Sequence, residues 1–155
     1  MMFKPIDLLP QKETMAFITA IESVDFDKQN MITRIDVKDT DLLFQKNING
    51  VSSAAALEYM AQSVACYIGA QDIHDTGSTR AVAGFIMGSR DLHVMISKFD
   101  VNESYFVHVQ SLFCDNNIAS FECEIYNSRN DIVAKGNLNA FRPDDLNKFM
   151  ENENE

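Results

Sequence analysis

Between Lys46 and Asp72 the chain carries a single charge, Glu58. It lies within residues 51–70, where alanine, leucine and methionine favour helix and Gly69 is the expected terminator. Leu57, Met60, Ala61, Val64, Ala65 and Ile68 recur at helical spacing, while Ala55, Tyr59 and Cys66 occupy the opposite side. Such a helix has no wet face and is expected to be buried nearly all round. An uncompensated buried charge is very costly, so a carboxylate there must be paired, neutral or put to use. Glu58 is therefore the first candidate functional residue.

The 155 residues fit one domain with a proper core, expected over residues 1–143. Residues 144–155 form an acidic C-terminal tail in which Asp144, Asp145, Glu151, Glu153 and Glu155 face only Lys148, a composition that favours solvation. The apolar stretch 51–70 has the length of a membrane span of about 20 residues. Glu58, Gln62 and three serines argue against that reading. A net charge of -10 argues against nucleic acid and anionic membrane surfaces as partners. Cys66, Cys114 and Cys123 sit in apolar segments without framework spacing and read as reduced core thiols. With no signal-like start, a cytoplasmic location is expected. No His, Cys or carboxylate spacing resembles a metal site, and neither metal nor cofactor is expected.

The helix stands between two groups of strands. Residues 17–24 and 31–37, joined by the polar turn 25–30, read as a hairpin. After the helix come a loop at 72–78 and an apolar strand at 81–88, expected to be buried on both faces. A strand at 105–114 follows. Ser120, Glu122 and Glu124 then alternate with Phe121, Cys123 and Ile125, and Ile132, Ala134, Gly136, Leu138 and Ala140 alternate with Val133, Lys135, Asn137 and Asn139. These are half-buried antiparallel strands. One apolar helix with a mostly antiparallel sheet must be wrapped by that sheet, an α+β hotdog fold. Exposed strand edges predict pairing of subunits into a dimer.

Three segments resemble the 3-hydroxyacyl-acyl-carrier-protein dehydratases: Leu8-Leu9-Pro10, then Leu57-Glu58-Tyr59-Met60-Ala61-Gln62, then Gly84-Phe85-Ile86-Met87-Gly88-Ser89-Arg90. The last is most similar to the branch associated with aryl-polyene biosynthesis. The resemblance implies a hotdog dehydratase acting on acyl thioesters carried by acyl carrier protein. It implies Glu58 as a catalytic group and a substrate-side role for Gln62. The family also places a histidine in the loop leading into the helix and after the Leu-Pro element. Here the loop 42–50 contains none, and Gln11 follows Pro10.

Dehydration needs a base for the proton beside the carbonyl, an acid for the departing hydroxyl, and fixed donors for the enolate-like oxygen. The expected helix N-terminus at Gly50, Val51 and Ser52 offers backbone N–H groups, and Phe85 and Met87 are candidate lining of an acyl tunnel. Glu58 is one acid–base group; the second is missing. Three functions remain open: a dehydratase with reduced machinery, a non-catalytic partner in a homodimer or a heterodimer with a related dehydratase, and a thioesterase in which Glu58 activates water. If active as a dehydratase, the protein is a hydro-lyase. His93 and His108 lie in strand-like runs and His74 in the loop, and Cys66 has no histidine to activate it. Acyl carrier proteins are acidic as a family, so docking needs a local basic patch, for which Lys46, Arg80 and Arg90 are the candidates.

Overall fold

The computed structural model describes residues 3–9, 15–77, 86–115 and 117–141. A short helix α1 (Pro5–Leu8) precedes the hairpin β1 (Ala20–Asp25) and β2 (Asn30–Asp36). Two short strands, β3 (Phe44–Gln45) and β4 (Gly50–Ser52), lead through a 3-10 turn at Ser53–Ala55 into the long helix α2 (Ala56–Thr76). Then come β5 (Ile86–Val94), β6 (Lys98–Asp100), β7 (Ser104–Cys114), β8 (Ile118–Asn127) and β9 (Ile132–Phe141).

Six strands form one antiparallel sheet in the order β1-β2-β7-β8-β9-β5, and β3-β4-β6 form a small second sheet. Helix α2 lies across one face of the large sheet, touching β2, β7, β8, β9 and β5. The alternation read from the sequence is the burial pattern seen on β8 and on β9 from Ala134 onward; at the start of β9, where the β8–β9 register shifts, Ile132 is exposed and Val133 is buried instead. Phe121, Cys123 and Ile125 are buried on β8, as are Ala134, Gly136, Leu138 and Ala140 on β9. Burying one face of β2, β7, β8 and β9 supplies most of the driving force for the fold. This is the hotdog architecture.

The helix boundaries differ from expectation. Gly69 does not end α2; the helix runs on through the segment expected as a loop to Gly77, whose φ of 77° closes the last turn with its N–H on the Ile73 carbonyl at 2.8 Å. Gly69 instead admits α1, since a Cβ there would lie 3.3 Å from the Leu8 Cβ. At the other end, Gly50–Ser52 are strand and not helix N-terminus. Gly50 is required by a close approach, because a Cβ would meet the Phe99 carbonyl oxygen at 2.4 Å. Ser52 caps the 3-10 turn by accepting the Ala54 N–H at 3.3 Å.

The expected apolar strand 81–88 lies mostly outside the described residues. Its described end, from Ile86, belongs to β5, an edge strand in which Gly88, Ser89 and Arg90 are exposed. Cys66 and Cys123 are buried free thiols, but Cys114 is exposed at the end of β7. The acidic tail 144–155 also falls outside the described residues. No described helix is long and apolar enough to cross a membrane.

Candidate active site

The first two turns of α2 are not covered all round. Residues 62–70 are buried without interruption, yet Ala54, Leu57, Glu58 and Ala61 share a face at helical spacing that the sheet leaves open, with Leu57 38% exposed. The sheet wraps α2 from the opposite side, and the small sheet stands off beside the open face. Between them lies a cavity of about 480 Å³ with mostly apolar walls from Met15, Phe17, Leu43, Val51 and Ala55. Its polar side chains are Gln45, Ser52 and Glu58.

Glu58 is half-buried and fixed from below. Gln62, one turn on and fully buried, donates from Nε2 to Glu58 Oε1 at 2.8 Å and to the Met15 carbonyl at 2.7 Å. Its Oε1 accepts the Phe17 N–H at 2.8 Å. Both amide hydrogens and the amide oxygen are thereby committed to protein groups. The same side chain ties the segment carrying Met15 and Phe17, one wall of the cavity, to the carboxylate. Beneath it, Tyr59 packs edge-to-face on Phe17 at 6.2 Å and on Phe99 at 4.9 Å. Burial pushes the Tyr59 hydroxyl well above its ordinary range.

The remaining sequence candidates are distributed as follows. Val51 and Ser52 line the cavity, while Gly50 lies behind it in the β4–β6 pairing. The N–H groups of Ser53 and Ala54 are taken by the Ser97 carbonyl and Ser52 Oγ. Lys46 is exposed in the turn directly after Gln45. Arg90 is exposed on β5, opposite Asn137. Phe85 and Arg80 lie outside the described residues, and Met87 is described only as a backbone position paired with Ala140.

None of the histidines lines this cavity. His108 sits on the face of the sheet away from α2, opposite Glu124 and against the Tyr126 ring at 4.4 Å. Burial lowers its pKa while Glu124 opposes the shift. His93 pairs with Lys135 on that same outer face. His74 is in the last turn of α2 and not in a loop, with its ring 4.1 Å from that of Phe26. Burial pushes the Cys66 thiol up to about 12, which leaves it inert as a nucleophile. Among the described residues no group of three His, Cys, Asp or Glu could hold a metal ion. Gln45, Leu43 and Met15 had no sequence signal, because a two-residue strand and a segment of irregular backbone carry no periodicity, and Phe17, expected as the first residue of a strand, lies in irregular backbone ahead of β1.

The family model described as ApeP-like, ApeP dehydratase, matches residues 3–151. No curated protein matches the chain. Among solved structures it is similar to the dehydratase heterocomplex ApeI:P from Xenorhabdus doucetiae, with 19% identity, 99% of each chain covered and a TM-score of 0.84. It is also similar to an HP0420 homologue from Helicobacter felis, with 6% identity, 92% of this chain and 89% of that one covered and a TM-score of 0.64. Zebra fish thioesterase superfamily member 2 aligns with 9% identity, 89% and 91% covered and a TM-score of 0.61. At these identities the likeness establishes a shared fold.

Proposed function

The chain belongs to the ApeP-like dehydratase family, and from that premise we propose that it is a 3-hydroxyacyl-acyl-carrier-protein dehydratase-like subunit of polyene or fatty-acid biosynthesis that works paired with a related dehydratase. The observation that carries this reading is Glu58, oriented by Gln62 at the edge of an apolar cavity whose helix face is uncovered. An open apolar face beside a carboxylate suits a site finished by a second subunit. The similar solved structure being a dehydratase heterocomplex supports a related dehydratase as that subunit.

In this reading the acyl chain lies along Phe17, Leu43 and Val51, with the thioester toward Glu58. With Oε1 holding the Gln62 amide, the other oxygen faces the reaction. The carboxylate takes the proton beside the thioester carbonyl, the released pair forms the carbon–carbon double bond, and the hydroxyl leaves as water after receiving a proton. Removing one positioned acid or base costs roughly two to four orders of magnitude in rate, so a lone Glu58 makes a weak dehydratase. The partner subunit supplies the second proton-transfer group. The carrier protein approaches over Lys46, the exposed cation next to the cavity wall at Gln45, with Arg90 and Arg80 as further contacts.

A thioesterase reading rests on the same single carboxylate, used to activate water against an acyl thioester. One experiment separates the alternatives: the protein alone is incubated with a 3-hydroxyacyl and a plain acyl carrier protein, and products are followed by mass spectrometry. Slow loss of water, accelerated by a related dehydratase subunit, is expected. Release of the acyl group from both carriers would replace this reading with hydrolysis.

A further inference from the structure

Removing the proton beside a thioester carbonyl drives negative charge onto the carbonyl oxygen, and that oxygen needs fixed donors. The backbone groups at the foot of α2 are engaged elsewhere: the Ser53 N–H is held by the Ser97 carbonyl and the Ala54 N–H by Ser52 Oγ. Gln62, which holds Glu58, has its amide hydrogens committed to Glu58 and to the Met15 carbonyl. Lys98, paired with Ser52 across β4 and β6, donates from Nζ to the Ile48 carbonyl at 2.6 Å and lies 3.7 Å from Asp100 Oδ1. Among the described residues, the side-chain donors left in the cavity wall are Gln45 and Ser52.

Each of the two is held in place and has hydrogen to give. Ser52 Oγ accepts the Ala54 N–H at 3.3 Å, which fixes the hydroxyl and leaves its own hydrogen without an acceptor among the described residues. Gln45 is anchored by its backbone in β3, opposite Gly50, while its side-chain amide bonds to no described residue. Ser52 stands two residues beyond Gly50, so it is the diagonal neighbour of Gln45 across the β3–β4 pair. Diagonal neighbours lie about 7–8 Å apart, within reach of long side chains. A glutamine side chain spans enough of that distance for one oxygen atom to accept from both donors.

We infer that Gln45 Nε2 and Ser52 Oγ together bind the thioester carbonyl oxygen and stabilise the charge it gains during the reaction. The inference rests on the dehydratase reading of this cavity and adds the groups that polarise the substrate. As Glu58 takes the proton, the electron pair of the broken carbon–hydrogen bond moves toward the carbonyl and onto its oxygen. It returns to form the carbon–carbon double bond when the hydroxyl leaves with a proton from the partner subunit. Gln45 and Ser52 keep their own hydrogens throughout; their contribution is electrostatic, and it is largest when the oxygen is most negative.

The test uses the chain paired with a related dehydratase subunit and 3-hydroxybutyryl carrier protein as substrate. Gln45→Met keeps the length of the side chain without a donor, Ser52→Ala removes the hydroxyl, and Ser52→Thr restores both the hydroxyl and the cap. Loss of one such donor costs about two to three orders of magnitude in kcat, so Gln45→Met and Ser52→Ala should each fall by that much with KM little changed, and Ser52→Thr should recover most of it. A second readout needs no turnover. The infrared carbonyl stretch of crotonyl carrier protein, isotope-labelled at the carbonyl carbon, should drop when the parent pair binds it and move back toward the free value with Gln45→Met. A parent pair that does not dehydrate the substrate overturns the dehydratase reading and this inference with it. A parent pair that turns over no faster than Gln45→Met and Ser52→Ala, or a carbonyl stretch that Gln45→Met leaves where the parent puts it, overturns the assignment of these donors alone.

Discussion

Gln62 spends its whole hydrogen-bonding capacity on three groups: the Met15 carbonyl, the Phe17 N–H and Glu58. Its role in the proposed site is therefore to position the carboxylate and one cavity wall. Gln62→Leu keeps the volume but removes the partners of the Met15 carbonyl and the Phe17 N–H, both part-buried, and should destabilise the fold by about 1 kcal/mol in urea denaturation. Gln62→Glu should be worse, since it sets a second carboxylate against Glu58. The thiols give a pH signature. Burial pushes Cys66 and Cys123 up to about 12 from an ordinary 9. The unfolded thiols lose their protons near pH 9 while the folded ones keep theirs, so the folded state binds more protons between those values. Stability is then fully present below about pH 9 and falls as pH rises toward 12, by up to about 1.4 kcal/mol per pH unit for each thiol. Urea midpoints measured from pH 7 to 11 should be flat and then decline. At pH 8 a thiol reagent should modify Cys114 alone in the folded protein and three cysteines in denaturant, because Cys114 is the exposed one.

At the scale of elements, the expectation most in error concerned where α2 begins. Gly50, Val51 and Ser52 read as the start of an apolar helix because Ala54, Ala55 and Ala56 continue the pattern without a break. Strand β4 is imposed from outside, by pairing with Phe44–Gln45 and with Lys98–Asp100, some fifty residues away. A three-residue strand leaves no periodic trace of its own. The C-terminal end of α2 departs from expectation for a related reason: Gly69 has the right residue type for a terminator, but it serves to let Leu8 approach. By contrast β7, β8 and β9 were legible nearly to the residue, because each buries one face and the alternation is written into the sequence. The site was half legible. Glu58 stood out as the lone charge in an apolar run, whereas Gln45, Met15 and Phe17 reach the cavity only through tertiary structure. Gly50→Ala tests the strand reading. A Cβ 2.4 Å from the Phe99 carbonyl must break the β4–β6 pairing, so a loss of at least about 2 kcal/mol is expected.

For the whole molecule, two surfaces left open by one subunit bear on assembly: the helix face around Leu57 and the edge strand β5. A stable pair, with itself or with a related dehydratase, is expected in light scattering at micromolar concentration. The net charge of -10 sets a second condition. An acidic carrier protein is repelled overall and must be captured locally. Charge reversal at Lys46 or at Arg90 should weaken carrier binding more at low salt than at high salt, with the larger effect at Lys46 because it adjoins the cavity wall. Equal losses at both salt concentrations would remove these residues from the docking surface.

The proposed function stands or falls with proton transfer by Glu58. Glu58→Gln keeps size and hydrogen bonding but removes the titratable proton. The decisive measurement is the initial rate of dehydration of a 3-hydroxyacyl carrier protein by the chain paired with a related dehydratase subunit, with Glu58 and with Gln at that position. An unchanged assembly and a rate lower by roughly two to four orders of magnitude are expected. A paired complex as fast with Glu58→Gln as without it would show that this chain contributes structure and no proton transfer.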